Sequence, residues 1–170
     1  MTVIFRVEKP EDQIGIRHIN TEAFDTDAEG NLIDALRKSG IPLISLVAEG
    51  NGELVGHILF SLVTLEADDC SISIAGLAPM AVAPAFQKRE IGSMLVKEGL
   101  RHCKNAGYDA VVVLGHPDYY PRFGFVPSVN YGIKSEFDVS AEVFIAKELR
   151  EGALADCNGI VKYHDVFNQV

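Results

Sequence analysis

The stretch from Ser71 to Leu114 constrains the fold more than any other part of the chain. It reads as an extended run to Val82, a loop, a helical run from about Arg89 to Asn105, and a short apolar strand, Ala110–Leu114. Strand, helix and strand in that order make a crossover, and a crossover joins strands that run parallel. The run Ala110-Val-Val-Val-Leu114 suits a strand buried on both faces. Gly92, Val96, Gly99 and Cys103 share one helix face, flanked by Leu95 and Leu100. Such a stripe of small residues lets the helix axis lie close against a sheet. Ser93, Lys97, Arg101 and Lys104 fall opposite and read as a solvated face.

The segments around this crossover predict antiparallel partners for it. Val3-Ile-Phe-Arg-Val7 reads as a strand, and Pro10 opens a helix with Glu11 and Asp12 in its first turn. Ile16, Ile19 and Ala23 give that helix one apolar face. A second helix over residues 28–38 turns Leu32, Ala35 and Leu36 inward and is stopped by Gly40 and Pro42. Strands over 43–48 and 54–65 flank Glu49-Gly-Asn-Gly52, a strong hairpin signal. Asp68-Asp69 marks a further turn. A helical segment from Pro117 to Phe123 leads to Gly124, and strands follow near Phe125 and over 142–149. The last twenty residues carry no clear period. The expectation is one α/β sandwich domain over residues 1–170, built on a mixed sheet.

Composition narrows the function classes. With 48% hydrophobic residues the chain has material for a real core, which excludes a disordered regulator. Fifteen Lys and Arg against 24 Asp and Glu leave a net charge of -9, the wrong sign for tracking nucleic-acid phosphates. No apolar run approaches the roughly 20 residues that span a bilayer. The start, Met1-Thr-Val-Ile-Phe-Arg, lacks the pattern of a secretory signal, so the expected location is cytoplasmic. Cys70, Cys103 and Cys157 are odd in number and have no metal-like spacing, so they read as buried or incidental thiols in a reducing compartment. The five histidines show no ligand-like clustering, so no metal is expected. No Cys–His or Ser–His–Asp spacing points to a covalent acyl-enzyme.

The chemistry concentrates between Leu77 and Ser93. A strand ends at Val82, Pro84 punctuates it, and a loop with Gln87, Lys88 and Arg89 enters the helix at Ile91-Gly92. The first turn of a helix exposes unpaired N–H groups at the positive end of the dipole, which makes it an anion site. Gly92 removes a side chain where an anion approaches the backbone, Ser93 adds a hydroxyl, and Lys88 and Arg89 add charge. On physical grounds this is a phosphate or diphosphate site, with an ordinary strand–loop–helix turn as the alternative.

The run Val82-x-Pro84-x-x-Gln87-x-x-Glu90-x-Gly92 resembles the acetyl-CoA signature of the GNAT superfamily of N-acetyltransferases, Gln/Arg-x-x-Gly-x-Gly/Ala. Tyr119-Tyr-Pro-Arg-Phe-Gly-Phe125 is similar to that family's Tyr-x-x-x-Gly-Phe segment. Gly56-His-Ile-Leu-Phe-Ser61 and Glu148-Leu-Arg-Glu-Gly-Ala-Leu154 resemble its YhbS-like branch of small bacterial proteins. The chain departs from the pattern at one place: Glu90 stands where the first motif glycine belongs. A carboxylate there adds a side chain and a negative charge near the presumed diphosphate.

The resemblance implies a mostly antiparallel mixed sheet with a central parallel pair splayed for CoA and helices on both faces. It implies acetyl-CoA as co-substrate and transfer of the acetyl group to a primary amine of a small molecule or peptide. The amine attacks the thioester directly, and the oxyanion that develops needs a donor such as a backbone N–H. Met80, Ala81 and Val82 would bind the pantetheine and thioester through their backbone, and Gln87, Lys88, Arg89, Glu90, Ile91, Gly92 and Ser93 would hold the diphosphate. Tyr120, four residues before Gly124, matches the general-acid tyrosine, because a phenol stays protonated at neutral pH and can donate to the departing sulfur. Tyr119 is assigned to the wall of the cleft. The base stays open among His116, His57 and the acidic stretch from Glu22 through Asp25 and Asp27 to Glu29. Expected partners are the amine alone, without nucleic acid or membrane, for a monomer or homodimer. A non-catalytic acyl-CoA-binding or sensor module of the same fold is the alternative, and Glu90 is the residue that favours it.

Overall fold

The computed structural model describes residues 2–67 and 70–168. They fall into two compact units that the chain visits more than once: Met1–Ser61, Ala78–Gly99 and Asp165–Val170 form the first, and Leu62–Leu77 with Leu100–His164 the second. Three elements run from one unit into the other: strands β3 (Glu53–Glu66) and β4 (Ile74–Val82), and helix α3 (Ile91–Asn105). β3 and β4 are hydrogen-bonded neighbours along the sheet.

In the first unit β1 (Val3–Val7) lies antiparallel to β2 (Leu43–Gly50), which lies antiparallel to β3. Asn51 and Gly52 join β2 to β3 with φ of 54° and 77°, the left-handed pair that a tight two-residue hairpin turn requires. Helices α1 (Gln13–Phe24) and α2 (Ala28–Ser39) send Ile16, Leu32, Ile33 and Leu36 onto Val47 and Leu59, and none of these is appreciably exposed. Alternation along β3 turns Gly56 and Phe60 to the opposite face, against α3. Gly56 lies beneath Ile91 and Leu95, and a Cβ on Gly99 would overlap the Phe60 ring. The small-residue stripe therefore does what its spacing implies, and helices cover both faces of this part of the sheet. At the start of α1, Arg6 bonds Asp12 at 2.7 Å and Glu49 at 3.0 Å. That guanidinium holds the Asp12 carboxyl below the usual carboxylate range.

In the second unit Ile74, Ala75 and Gly76 of β4 pair in parallel with Ala110, Val111 and Val112 of β5 (Ala110–Leu114), with α3 as the crossover. The registered parallel pairing stops at Gly76, while β4 itself continues to Val82. β8 (Phe144–Glu148) runs antiparallel to β5, and the short β6 (Val126–Pro127) runs antiparallel to β8. The result is the expected mixed, mostly antiparallel sheet with a parallel β4–β5 pair.

Four details differ from the sequence expectation. β4 begins at Ile74 rather than Ser71, because the Ser73 backbone is engaged with Asp109: its N–H donates to the carboxylate at 2.9 Å and its carbonyl accepts the Asp109 N–H at 2.8 Å. The segment from Pro117 to Phe123 is helical only as a 3-10 turn, Tyr120–Phe123, closed by Gly124 at φ 93°. Two strands escaped the pattern altogether. β7 (Ile133–Ser135) pairs in parallel with β9 (Gly159–Lys162), and β9 pairs antiparallel with Thr64, Leu65 and Glu66 at the end of β3. Finally, Cys70 and Cys157 are not free thiols but a disulfide, with Cα atoms 5.3 Å apart. Cys70 follows the end of β3 and Cys157 precedes β9, so the β3–β9 ladder brings the two together. Closing a loop of 87 residues stabilises the fold by about 4–5 kcal/mol in a chain-entropy picture. Cys103 is the buried thiol that the sequence suggested, and burial pushes it up to about 12. The expected turn at Asp68-Asp69 lies outside the described residues.

Candidate functional site

The loop that enters α3 belongs to the first unit. β4 reaches it through Met80, Ala81 and Val82, of which Ala81 is buried and the others half-buried. The Ala83 N–H donates to the Val55 carbonyl at 2.9 Å, anchoring the loop's start on β3. Gln87 then folds back, its Nε2 donating to the Val82 carbonyl at 3.0 Å. The Arg89 guanidinium lies 5.5 Å from the centre of the Phe86 ring, a cation–π contact that keeps its charge beside the loop. Gln87, Lys88, Arg89 and Glu90 are all exposed.

The backbone here is unusual. Lys88 and Glu90 have φ of 64° and 65°, in the left-handed region that costs a residue with a side chain roughly 1–2 kcal/mol. The Glu90 carbonyl accepts the Met94 N–H at 3.0 Å, the first bond of the helix. The N–H groups of Ile91 and Gly92 precede it in the first turn of the helix. Glu90 thus occupies the conformation that a motif glycine adopts freely.

Tyr120 belongs to the second unit. β5 ends at Leu114, and the Gly115 N–H donates to the Val143 carbonyl at 2.9 Å. The His116 carbonyl accepts the N–H groups of Tyr119 and Tyr120 at 3.2 and 3.4 Å, which starts the tight turn. The Tyr120 ring packs edge-on to Tyr119 and Phe125, with centroids 5.1 and 5.7 Å away, and it covers Gly115 so closely that a Cβ there would overlap it. The side chain is only 8% exposed. Burial, and after it the neighbouring Tyr119, pushes its hydroxyl up to about 12. At neutral pH this phenol is therefore a proton donor and not a phenolate. Tyr119 carries the Arg122 guanidinium 4.5 Å over its ring, and its carbonyl accepts Arg122 Nε–H at 2.9 Å. Gly115 is the residue here that sequence reasoning missed; its only signal was a glycine at the strand exit ahead of an aromatic pair.

The candidates for a base separate clearly. His57 is fully buried, and burial, aided by Arg37, lowers its imidazole to about 3. Asn20 Nδ2 lies 3.2 Å from its Nδ1, and Ser45 Oγ lies 2.9 Å from its Nε2. Because the amide nitrogen can only donate, Nδ1 accepts and Nε2–H donates to the serine. His57 is thus a neutral core group. The His116 ring is exposed, while its carbonyl serves the turn described above. Glu22 pairs with His18, and Asp27 accepts a bond from the Thr21 hydroxyl at 3.4 Å. Asp25 ends α1 at φ 56°. Glu29 differs from these: its Oε1 is buried and has no hydrogen-bond partner among the described residues. No group of three or more His, Cys, Asp or Glu able to hold a metal occurs among the described residues.

The profile described as the Acetyltransferase (GNAT) family matches residues 13–125. The chain is 34% identical over 168 residues to "Uncharacterized N-acetyltransferase YhbS" of Escherichia coli strain K12, covering 98% of this chain and 99% of that one. The crystal structure of YhbS from Escherichia coli in complex with CoA superposes with a TM-score of 0.91, covering 98% of this chain and 92% of that one. A GNAT family acetyltransferase from Brucella melitensis in complex with acetyl-CoA, 33% identical, gives a TM-score of 0.80 over 98% of both chains. Near-full-length identity, the shared fold and the profile match agree, and this chain belongs to the GNAT family of acetyltransferases.

Proposed function

We propose that residues 1–170 act as one N-acetyltransferase domain, transferring the acetyl group of acetyl-CoA to a primary amine of a small molecule or peptide. The observation that carries this reading is the loop backbone at Glu90. It keeps the left-handed turn into α3 even though the residue there is not glycine. Lys88 and Glu90 hold that conformation although neither is glycine, which supports a loop whose backbone is put to use. CoA-bound relatives at 34% and 33% identity support the same co-substrate.

When bound, acetyl-CoA supplies an activated thioester. In this proposal the amides of Ile91, Gly92 and Ser93 hold the diphosphate, with Gln87 shaping the loop and Lys88 and Arg89 contributing charge. Met80, Ala81 and Val82 offer strand backbone to the pantetheine. Tyr120 holds its proton at neutral pH and gives it to the departing sulfur. Glu90 opposes the diphosphate by about 1 kcal/mol at 4 Å in water, a repulsion that the two adjacent cations offset. No helix among the described residues is long and apolar enough to cross a membrane. A cytoplasmic setting is part of the proposal, and the Cys70–Cys157 bridge, a bond rare in a reducing cytoplasm, is the observation that stands against it.

Calorimetric titration with acetyl-CoA, followed by thiol release over an amine panel, tests the reading. Saturable heat is expected. Tyr120→Phe should lower kcat by about 10²–10³-fold while leaving acetyl-CoA affinity unchanged. No heat, or wild-type turnover in that variant, overturns it. Binding without thiol release for any amine would establish the non-catalytic module instead.

A further inference from the structure

We infer that the cavity walled by β7, the 3-10 turn before it and the loop into β8 binds a small molecule in which an apolar body carries a carboxylate. The inference does not depend on acetyl transfer. The cavity measures about 260 Å³. That is slightly below the roughly 300 Å³ at which small-molecule sites begin, so its occupant is compact.

The lining sorts into two chemistries. Val129, Phe137, Val139 and Phe144 form an apolar wall, and Val129 and Val139 remain 45% and 40% exposed. The two valines offer aliphatic surface that the apolar body of a small molecule can cover. Lys134 is the one charged side chain among the lining residues. Its ammonium has no ion pair among the described residues, although the chain carries a net charge of -9. A lone cation beside an apolar wall complements a carboxylate on an apolar body. It repels an amine, and an uncharged hydrocarbon would leave it unused.

The β7 side of the cavity is fixed by bonds of its own. Ser128, fully buried, donates its hydroxyl to the Ile133 carbonyl at 2.9 Å. The Phe137 N–H donates to Ser135 Oγ at 3.0 Å, and the Phe137 ring leans on Tyr163 with centroids 5.7 Å apart. β7 is in turn held by β9, where the Gly159 N–H donates to the Gly132 carbonyl at 3.1 Å. A wall fixed in this way does not have to be ordered when a ligand arrives.

The test uses the full chain with its disulfide intact, titrated by calorimetry and by amide chemical shifts with hexanoate, hexanamide and hexylamine. Hexanoate should bind saturably, shifting the amides of residues 128–144, and hexanamide should bind at least about tenfold more weakly. Lys134 is exposed, so Lys134→Glu and Lys134→Gln should fold normally. The first should lose hexanoate and gain hexylamine, and the second should treat hexanoate and hexanamide alike. Absence of saturable hexanoate binding, or equal hexanoate affinity in wild type and both variants, overturns the site.

Discussion

The loop before α3 and the turn after β5 carry the two halves of the proposed chemistry, and they are built in opposite ways. The loop is exposed, its side chains from Gln87 to Glu90 face solvent, and what it presents is backbone conformation. In the turn Tyr120 and Phe123 are buried, the Tyr120 ring packs on Gly115, and what the turn contributes is a single hydroxyl. A site made of backbone tolerates a change of side chain wherever the backbone angles survive, and Glu90 keeps the left-handed φ. A site made of a packed ring tolerates almost nothing beneath it. Burial also sets the protonation state of the turn, keeping Tyr120 neutral, whereas the loop groups work in water where charges are screened.

The strongest way to break this contrast is to disturb the packing under Tyr120. Gly115→Ala places a Cβ into the ring, and overpacking of that kind should destabilise the fold by about 2–3 kcal/mol. It should also lower kcat, and a urea midpoint with thiol-release kinetics reads both. Unchanged stability and turnover would show that the turn is as tolerant as the loop.

Next in size is a test of burial itself, through His57. Its folded imidazole takes up a proton only near 3, whereas an unfolded chain takes one up near 6.5. Between those values unfolding binds a proton, so stability is full above about pH 6.5 and falls as pH drops toward 3, by about 1.4 kcal/mol per pH unit. About 2 kcal/mol should vanish between pH 6.5 and 5 in urea titrations. His57→Gln should flatten that slope. A slope unchanged by the substitution would place the acid sensitivity elsewhere.

The smallest effect belongs to the loop. Glu90→Gly removes the left-handed penalty and the negative charge together, and should stabilise the fold by about 1 kcal/mol while tightening acetyl-CoA binding several-fold. Glu90→Gln removes the charge alone and should tighten binding without the gain in stability. If Glu90→Gly destabilises the chain, the side chain supports the loop and the contrast drawn above is wrong.

Much of the fold was legible because it rests on long periodic segments or on residues with special backbone freedom. The β4–α3–β5 crossover showed in the change of period, and the β2–β3 hairpin showed in Asn51-Gly52. The small face of α3 announced the contact between Gly99 and Phe60. β7 and β9 were not legible, since three or four residues carry too little alternation and their pairing joins distant parts of the chain. The disulfide was hidden for a similar reason: spacing does not specify cysteine connectivity, and a fold pairing had to bring Cys70 and Cys157 together. In the candidate site, the loop and Tyr120 stood out by motif. The positive φ of Glu90 had one sign, its place at the first motif glycine, since a glutamate by itself does not advertise a left-handed backbone. Gly115 gave only the faint sign of a glycine at a strand exit, since what matters is the ring that folds onto it.

The bridge between Cys70 and Cys157 also changes what cleavage does to this protein. A protease that cuts once between those positions leaves two pieces that still travel as one covalent molecule. Electrophoresis without a thiol reagent would show an intact mass, and the same sample with the reagent would show two bands.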